Sequence, residues 1–147
     1  MQTAPPGSDS RSIVVSSRGA DRYAIGIRGH EVVVDQPDSG DSGPTPTELF
    51  VGALASCVAF YAGRFLERHG LARDGLRVEG RWAFADDRPA RVARIDLRVG
   101  LPEGFPPELI DRLLAVATHC TVHNSITSAP VVAIDAEVNA ATMTGVR

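Results

Sequence analysis

The chain is predicted to fold as an α+β domain with antiparallel sheets, and three observations carry that prediction. Strand-like segments cluster before and after one long apolar helical run. The strand and helix blocks do not alternate as regular βαβ units. The 147 residues, 44% hydrophobic and 22% charged, suit a single domain with a substantial core. That domain is expected over 12–147, behind a tail of residues 1–11 in which Pro, Gly and Ser dominate and nothing apolar repeats.

Three short strands should open the domain: Ser12–Ser17, Tyr23–Arg28 and Glu31–Asp35, with Gly29-His30 as the turn between the last two. The Pro-, Gly- and Ser-rich stretch from Gln36 to Pro44 reads as a loop. A long helix follows with clear punctuation. Thr45 can be the N-cap, Pro46 fits the first helical position, and Glu48 completes a Thr-x-x-Glu capping box. The run extends to about His69, with Gly70 placed to end it, which makes roughly 25 residues and about 37 Å at 1.5 Å per residue.

Up to Gly63 this helix is apolar on nearly every face, and Gly52, Ala53, Ala55, Ser56, Ala59, Ala62 and Gly63 would let neighbours approach closely. A small domain cannot easily cover such a helix alone, which suggests a partner chain. A patterned hairpin comes next. Leu76, Val78, Trp82 and Phe84 alternate with Arg77, Glu79 and Arg81, and after the Asp86–Pro89 turn Ile95, Leu97, Val99 and Leu101 alternate with Arg94, Asp96 and Arg98. A second amphipathic helix is expected from Pro107 to about His119, then a short helical turn around Val122–Ile126 and a last strand, Val131–Val138.

Composition excludes several functional classes. A net charge of −3 provides no positive field for a phosphate backbone, so nucleic acid is not an expected partner. Every one of the fifteen basic residues is Arg, which removes lysine-based chemistry such as a Schiff base or a P-loop. The opening residues contain no apolar segment of the secretory kind, so cytoplasmic residence is expected. The longest uncharged stretch, Leu49 to Gly63, is shorter than the roughly 20 residues that cross a bilayer, so no membrane is expected either.

The two cysteines, Cys57 in the long helix and Cys120 more than sixty residues later, are the only sulfur nucleophiles. Brought together beside a cation they would form a reversible dithiol/disulfide couple; left apart or buried they are structural thiols. Cys57 lies mid-helix, beyond the reach of the macrodipole, so it needs a nearby cation, and Arg18 or Arg22 is the best candidate. Cys120, near the start of the short third helix, should gain some acidity from unpaired amides there. His119, Cys120 and His123, with Cys57 as a fourth ligand, form an alternative metal cluster, although the spacing satisfies only half of a usual zinc pattern. His30 and His69 are explained by a turn and a helix end. Glu48 is accounted for by its capping role and could touch a site only through a partner.

Gly43-Pro-Thr-Pro-Thr-Glu-Leu-Phe50, then Ala53-Leu-Ala-Ser-Cys57, then Cys120-x-Val-x-Asn124-Ser-Ile126, together with Val32-Val-Val-Asp-Gln-Pro37, resemble the OsmC/Ohr family of osmotically induced and organic-hydroperoxide-resistance proteins. The resemblance spans about Ser12 to Val138. It implies an OsmC-like fold in an intertwined homodimer, with a long central helix packed on its symmetry mate and active sites at the interface. It implies Cys57 as the peroxide-attacking thiol, Cys120 as the resolving thiol and an assisting arginine that aligns best with Arg18. Organic hydroperoxides would be the substrates, with hydrogen peroxide a further one, a lipoyl-type dithiol would be the reductant, and no metal or bound cofactor would be needed. Two departures stand out. Thr47 occupies the place of the family's arginine-orienting glutamate, with Glu48 one position later and about 100° around the helix. The usual proline after the second cysteine is Thr121, and His123 adds polarity nearby, which points to the OsmC-like branch.

The function expected is thus a thiol peroxidase of oxidative or osmotic stress defence, working through a Cys57 sulfenate and a Cys57–Cys120 disulfide. The alternative is a non-enzymatic redox sensor or small-molecule binding protein on the same scaffold.

Overall fold

The computed structural model describes residues 11–139. The tail expected over 1–11 therefore lies outside the described residues apart from Arg11, as does the end of the domain beyond Asn139. The architecture is α+β: two small antiparallel sheets and three helices.

The first sheet is the expected meander, β1 (Val14–Ser17), β2 (Tyr23–Ile27) and β3 (His30–Val34), in the order β1-β2-β3. Its turn falls one residue earlier than predicted. Register sets Val34 across from Tyr23 and Val32 across from Ile25, which draws His30 into the strand opposite Ile27. The connection is then Arg28-Gly29, with Arg28 at a φ of 56°.

After β3 the chain turns around a buried carboxylate. Asp35 accepts the Gln36 N–H at 2.8 Å, the Ser42 N–H at 3.0 Å and the Ser42 hydroxyl at 2.6 Å. The loop then passes so close to β3 that a Cβ on Gly43 would lie 2.3 Å from the Val33 carbonyl oxygen. This shape delivers the chain to helix α1 (Pro46–Arg68).

Both ends of α1 follow the residues that predicted them. Thr45 Oγ1 accepts the Glu48 N–H at 3.2 Å while Glu48 Oε2 accepts the Thr45 N–H at 2.8 Å, completing the capping box. At the other end Gly70, at a φ of 66°, donates to Glu67, and Leu71 donates to Leu66, a Schellman closure. Val51, Leu54, Val58, Ala62, Phe65 and Leu66 form the buried stripe. Gly52, Ala53, Ser56 and Phe60 form an exposed one. By length and composition α1 could cross a bilayer, its most apolar window having a mean hydropathy of 1.7, but it packs against α2, α3 and the second sheet.

That second sheet is the hairpin β4 (Arg77–Phe84) and β5 (Val92–Gly100). Val78, Ile95, Leu97 and Val99 face the core, and Gly80 allows Val51 of α1 close approach, since a Cβ there would sit 3.2 Å from its Cγ1. Near the distal end of the hairpin, Trp82 and Phe84 are exposed, Phe84 at 58%. A 3-10 turn at Pro107–Leu109 leads into α2 (Ile110–Ala117), and α3 (Thr121–Thr127) completes the helical layer. One core cluster joins Leu54, Val58, Ala117 and Cys120; another joins Ala62, Phe65 and Leu113.

The expected last strand is a correction. Residues 128–139 form no regular structure, and Val131 and Val138 are 99% and 97% exposed. A strand needs a neighbour for its backbone groups, and among the described residues neither sheet pairs with this segment.

Candidate active site

Helix α1 presents Cys57 on the side of its core stripe, half-buried, because Leu54, Val58 and Tyr61 at neighbouring turns share that face. Cys120 arrives from the other direction. Helix α2 ends at Ala117, the chain reverses through Thr118 and His119, and Cys120 becomes the N-cap of α3 with its Sγ accepting the His123 N–H at 3.4 Å. The reversal is tied by side chains: His119 Nδ1 meets the Ala115 carbonyl at 2.6 Å, and the Asn124 amide donates to the His119 carbonyl at 3.1 Å. Cys120 is fully buried against Leu54, Val58 and Ala117.

The two cysteines, remote in sequence, thus meet as free thiols in one core cluster, Cys57 packing from α1 against the buried residues that include Cys120. Burial pushes the Cys120 thiol up. The His123 N–H opposes that shift, and the hydrogen bond and charge of Cys57 reinforce it. The added acidity expected from the start of α3 is therefore overturned: withdrawal from water outweighs one amide donor. Cys120 therefore holds its proton more tightly than an ordinary thiol.

Beside the pair lies a hydroxyl contact that the residues alone did not suggest. Tyr61, one turn along α1 from Cys57, brings its phenolic oxygen to 3.4 Å from Thr121 Oγ1, next to Cys120. The spacing of four residues between Cys57 and Tyr61 was the available signal. Two cavities flank this region. One, about 570 Å³, runs between α1 and α2 and is lined by Phe60, Tyr61, Arg64, Arg68, Val116 and His119. The other, about 250 Å³, lies between the start of α1, β5 and α3, with Phe50, Leu54, Arg94 and His123 among its walls.

The remaining predicted site residues lie elsewhere. Arg18 pairs with Glu31 at 2.9 Å on the exposed face of the first sheet, and Arg22 donates to the Arg18 carbonyl at 3.2 Å. No strand of that sheet packs extensively on the helical layer, so within one chain neither guanidinium is brought to Cys57. Glu48 is committed to the capping box, and Thr47 is half-buried in the first turn of α1. His119 and His123 turn Nδ1 to the carbonyls of Ala115 and Thr118, and among the described residues no three His, Cys, Asp or Glu side chains converge. His69 seals the end of α1, with Nδ1 at 2.8 Å from the Phe65 carbonyl.

Nothing matches among curated proteins. Solved structures share the fold. A protein of Psychrobacter arcticus 273-4 named for osmotic stress induction and a detoxification response superposes with a TM-score of 0.73 at 20% identity, over 81% of this chain and 90% of that one. The OsmC-like protein of Mycoplasma pneumoniae gives 0.72 at 13% identity, over 84% and 91%. The organic hydroperoxide resistance protein OhrB of Bacillus subtilis gives 0.58 at 16% identity, over 80% and 92%. Residues 39–135, from the loop before α1 through both cysteines, match the family described as OsmC-like protein, and to that family this chain belongs.

Proposed function

We propose that the protein is a cysteine-based peroxidase that reduces organic hydroperoxides. The Cys57 thiolate attacks the terminal oxygen of ROOH, the O–O bond breaks, and Cys57 becomes a sulfenic acid as ROH leaves. Cys120 then attacks the Cys57 sulfur, forming the disulfide and expelling hydroxide as water. A small dithiol of the lipoyl type restores both thiols in the cytoplasm. The observation that carries this reading is the packing of Cys57, one of only two cysteines, against the buried cluster that contains the other, Cys120.

The working unit is a homodimer. In support, only 39% of the most apolar window of α1 is buried within one chain, and Trp82, Phe84 and the 131–138 segment leave apolar surface uncovered. In such a dimer the assisting guanidinium is Arg18 of the partner subunit. The second reading, a redox sensor or binding protein without turnover, is favoured by the Arg18–Glu31 pairing and by Thr47 at the place where the peroxidases of the family carry glutamate.

Stopped-flow mixing with cumene hydroperoxide, with and without dihydrolipoamide, separates the two. Sustained turnover is expected; a single stoichiometric oxidation would establish the sensor instead. Mass spectrometry after one equivalent of peroxide should show an internal crosslink in the wild type, a persistent sulfenate in Cys120→Ser and no reaction in Cys57→Ser.

A further inference from the structure

Breaking an O–O bond expels an alkoxide, a strong base, and the reaction is fast only when a proton reaches that oxygen as it leaves. Neither sulfur is suited to supply it. Cys57 is the attacking group, and the Cys120 thiol is fully buried.

Tyr61 has the required placement. It lies four residues beyond Cys57, one turn along α1, and both side chains pack against the same buried cluster, which puts them on one face of the helix. It packs on the cluster that contains Cys120. Phe60 meets its ring edge-on, 5.5 Å between centroids at 83°, which restricts the ring. Its hydroxyl is held by Thr121 alone among the described residues, at 3.4 Å, a long contact that leaves the proton available to a stronger acceptor. Tyr61 also lines the 570 Å³ cavity between α1 and α2, whose Phe60, Ala115 and Val116 can receive an organic group.

We infer that Tyr61, oriented by Thr121, is the catalytic acid that protonates the alkoxide expelled when Cys57 attacks a hydroperoxide. The inference rests on Cys57 being the peroxide-reactive nucleophile. The sulfur–oxygen bond forms as the oxygen–oxygen bond breaks, RO⁻ takes the phenolic proton to become ROH, and Tyr61 is left as phenolate. The phenolate recovers a proton from solvent. The Cys120 thiol then attacks the Cys57 sulfenic acid, closing the disulfide as its proton and the sulfenic hydroxyl leave together as water. Arg64 and Arg68, which share the cavity, place positive charge near the transient phenolate. Thr121 is a positioning residue, since it acts by aiming the phenol.

The test compares two oxidants in single-turnover stopped flow on pre-reduced protein. tert-Butyl hydroperoxide expels an alkoxide that needs a proton, whereas peracetic acid expels a carboxylate that does not. Tyr61→Phe should slow the first reaction by ~100-fold, in the range of lost general-acid catalysis, and leave the second within about 3-fold. Thr121→Val should show the same selectivity more weakly, with rescue by Thr121→Ser. Equal slowing of both oxidants by Tyr61→Phe would mean a packing defect and would overturn the assignment, as would an unchanged rate with both. Cys57→Ser is the control for the underlying reading. If the wild type reacts with neither oxidant, or Cys57→Ser reacts as the wild type does, the peroxidase reading itself falls and takes this assignment with it.

Discussion

The thiol of Cys120 lies against Cys57 with no exposure to solvent, and that burial holds it above the ordinary thiol value of 9.0. The folded chain therefore binds this proton more tightly than the unfolded chain. Its contribution to stability is complete below about pH 9 and is lost as pH rises through the raised value. Denaturant melts between about pH 8 and pH 10 should show the wild type losing stability more steeply than Cys120→Ala. Parallel curves would show that the burial is not felt.

Asp35 predicts the opposite limb. The Ser42 hydroxyl, the Ser42 N–H and the Gln36 N–H hold its carboxyl below the ordinary 3.8. Its stabilising effect is present above that value and disappears as pH falls through the lowered one. Asp35→Asn should be less stable than the wild type at pH 7, with the gap narrowing in acid. A gap that stays constant to about pH 2 would contradict this.

Glu48 should matter to α1 and not to the chemistry. Glu48→Ala and Thr45→Ala each remove half of the capping box and should cost about 1 kcal/mol in denaturant melts. Single-turnover oxidation of Cys57 by cumene hydroperoxide should proceed at the wild-type rate in Glu48→Ala. A large loss of rate in a folded variant would instead give Glu48 a place in the site.

Arg18 should behave in the reverse way. Its pair with Glu31 is half-exposed on both sides, so Arg18→Ala should change stability by no more than ~1 kcal/mol. If the guanidinium reaches a cysteine pair across a dimer, the same variant should slow peroxide reduction by at least tenfold. Unchanged kinetics would remove Arg18 from the mechanism.

The uncovered 131–138 segment predicts self-association. Sedimentation of the wild type should give twice the 15.6 kDa chain mass. Val132→Asp with Ile134→Asp, both in that segment, should shift the population to monomer while circular dichroism shows the helices intact. A wild-type monomer at micromolar concentration would sink the dimer.

Much of this fold was legible in the residues, because local rules carried it. The start of α1 was marked by Thr45, Pro46 and Glu48 and its end by Gly70, and the alternation through β4 and β5 marked the hairpin. What escaped depended on contacts distant in sequence. The turn between β2 and β3 shifted because strand register outranked the appeal of Gly29-His30. The acidity assigned to Cys120 was wrong because an argument from a helix start knows nothing of the burial that α1 and α2 impose. The convergence of Cys57 and Cys120 came from family resemblance, whereas Tyr61 and Thr121 meet across two helices and left only a four-residue spacing as a clue.

The closures at the two ends of α1 bear on which sulfur travels. Cys57 rides a strut fastened at both extremities, whereas Cys120 is itself the fastener of a helix only seven residues long. Any shift required to weld the sulfurs together must fall on that shorter piece, and welding unhooks the very atom that secured it. Amide signals of Val122, His123 and Asn124 should thus report the oxidation state of the protein, while those around Cys57 stay almost silent.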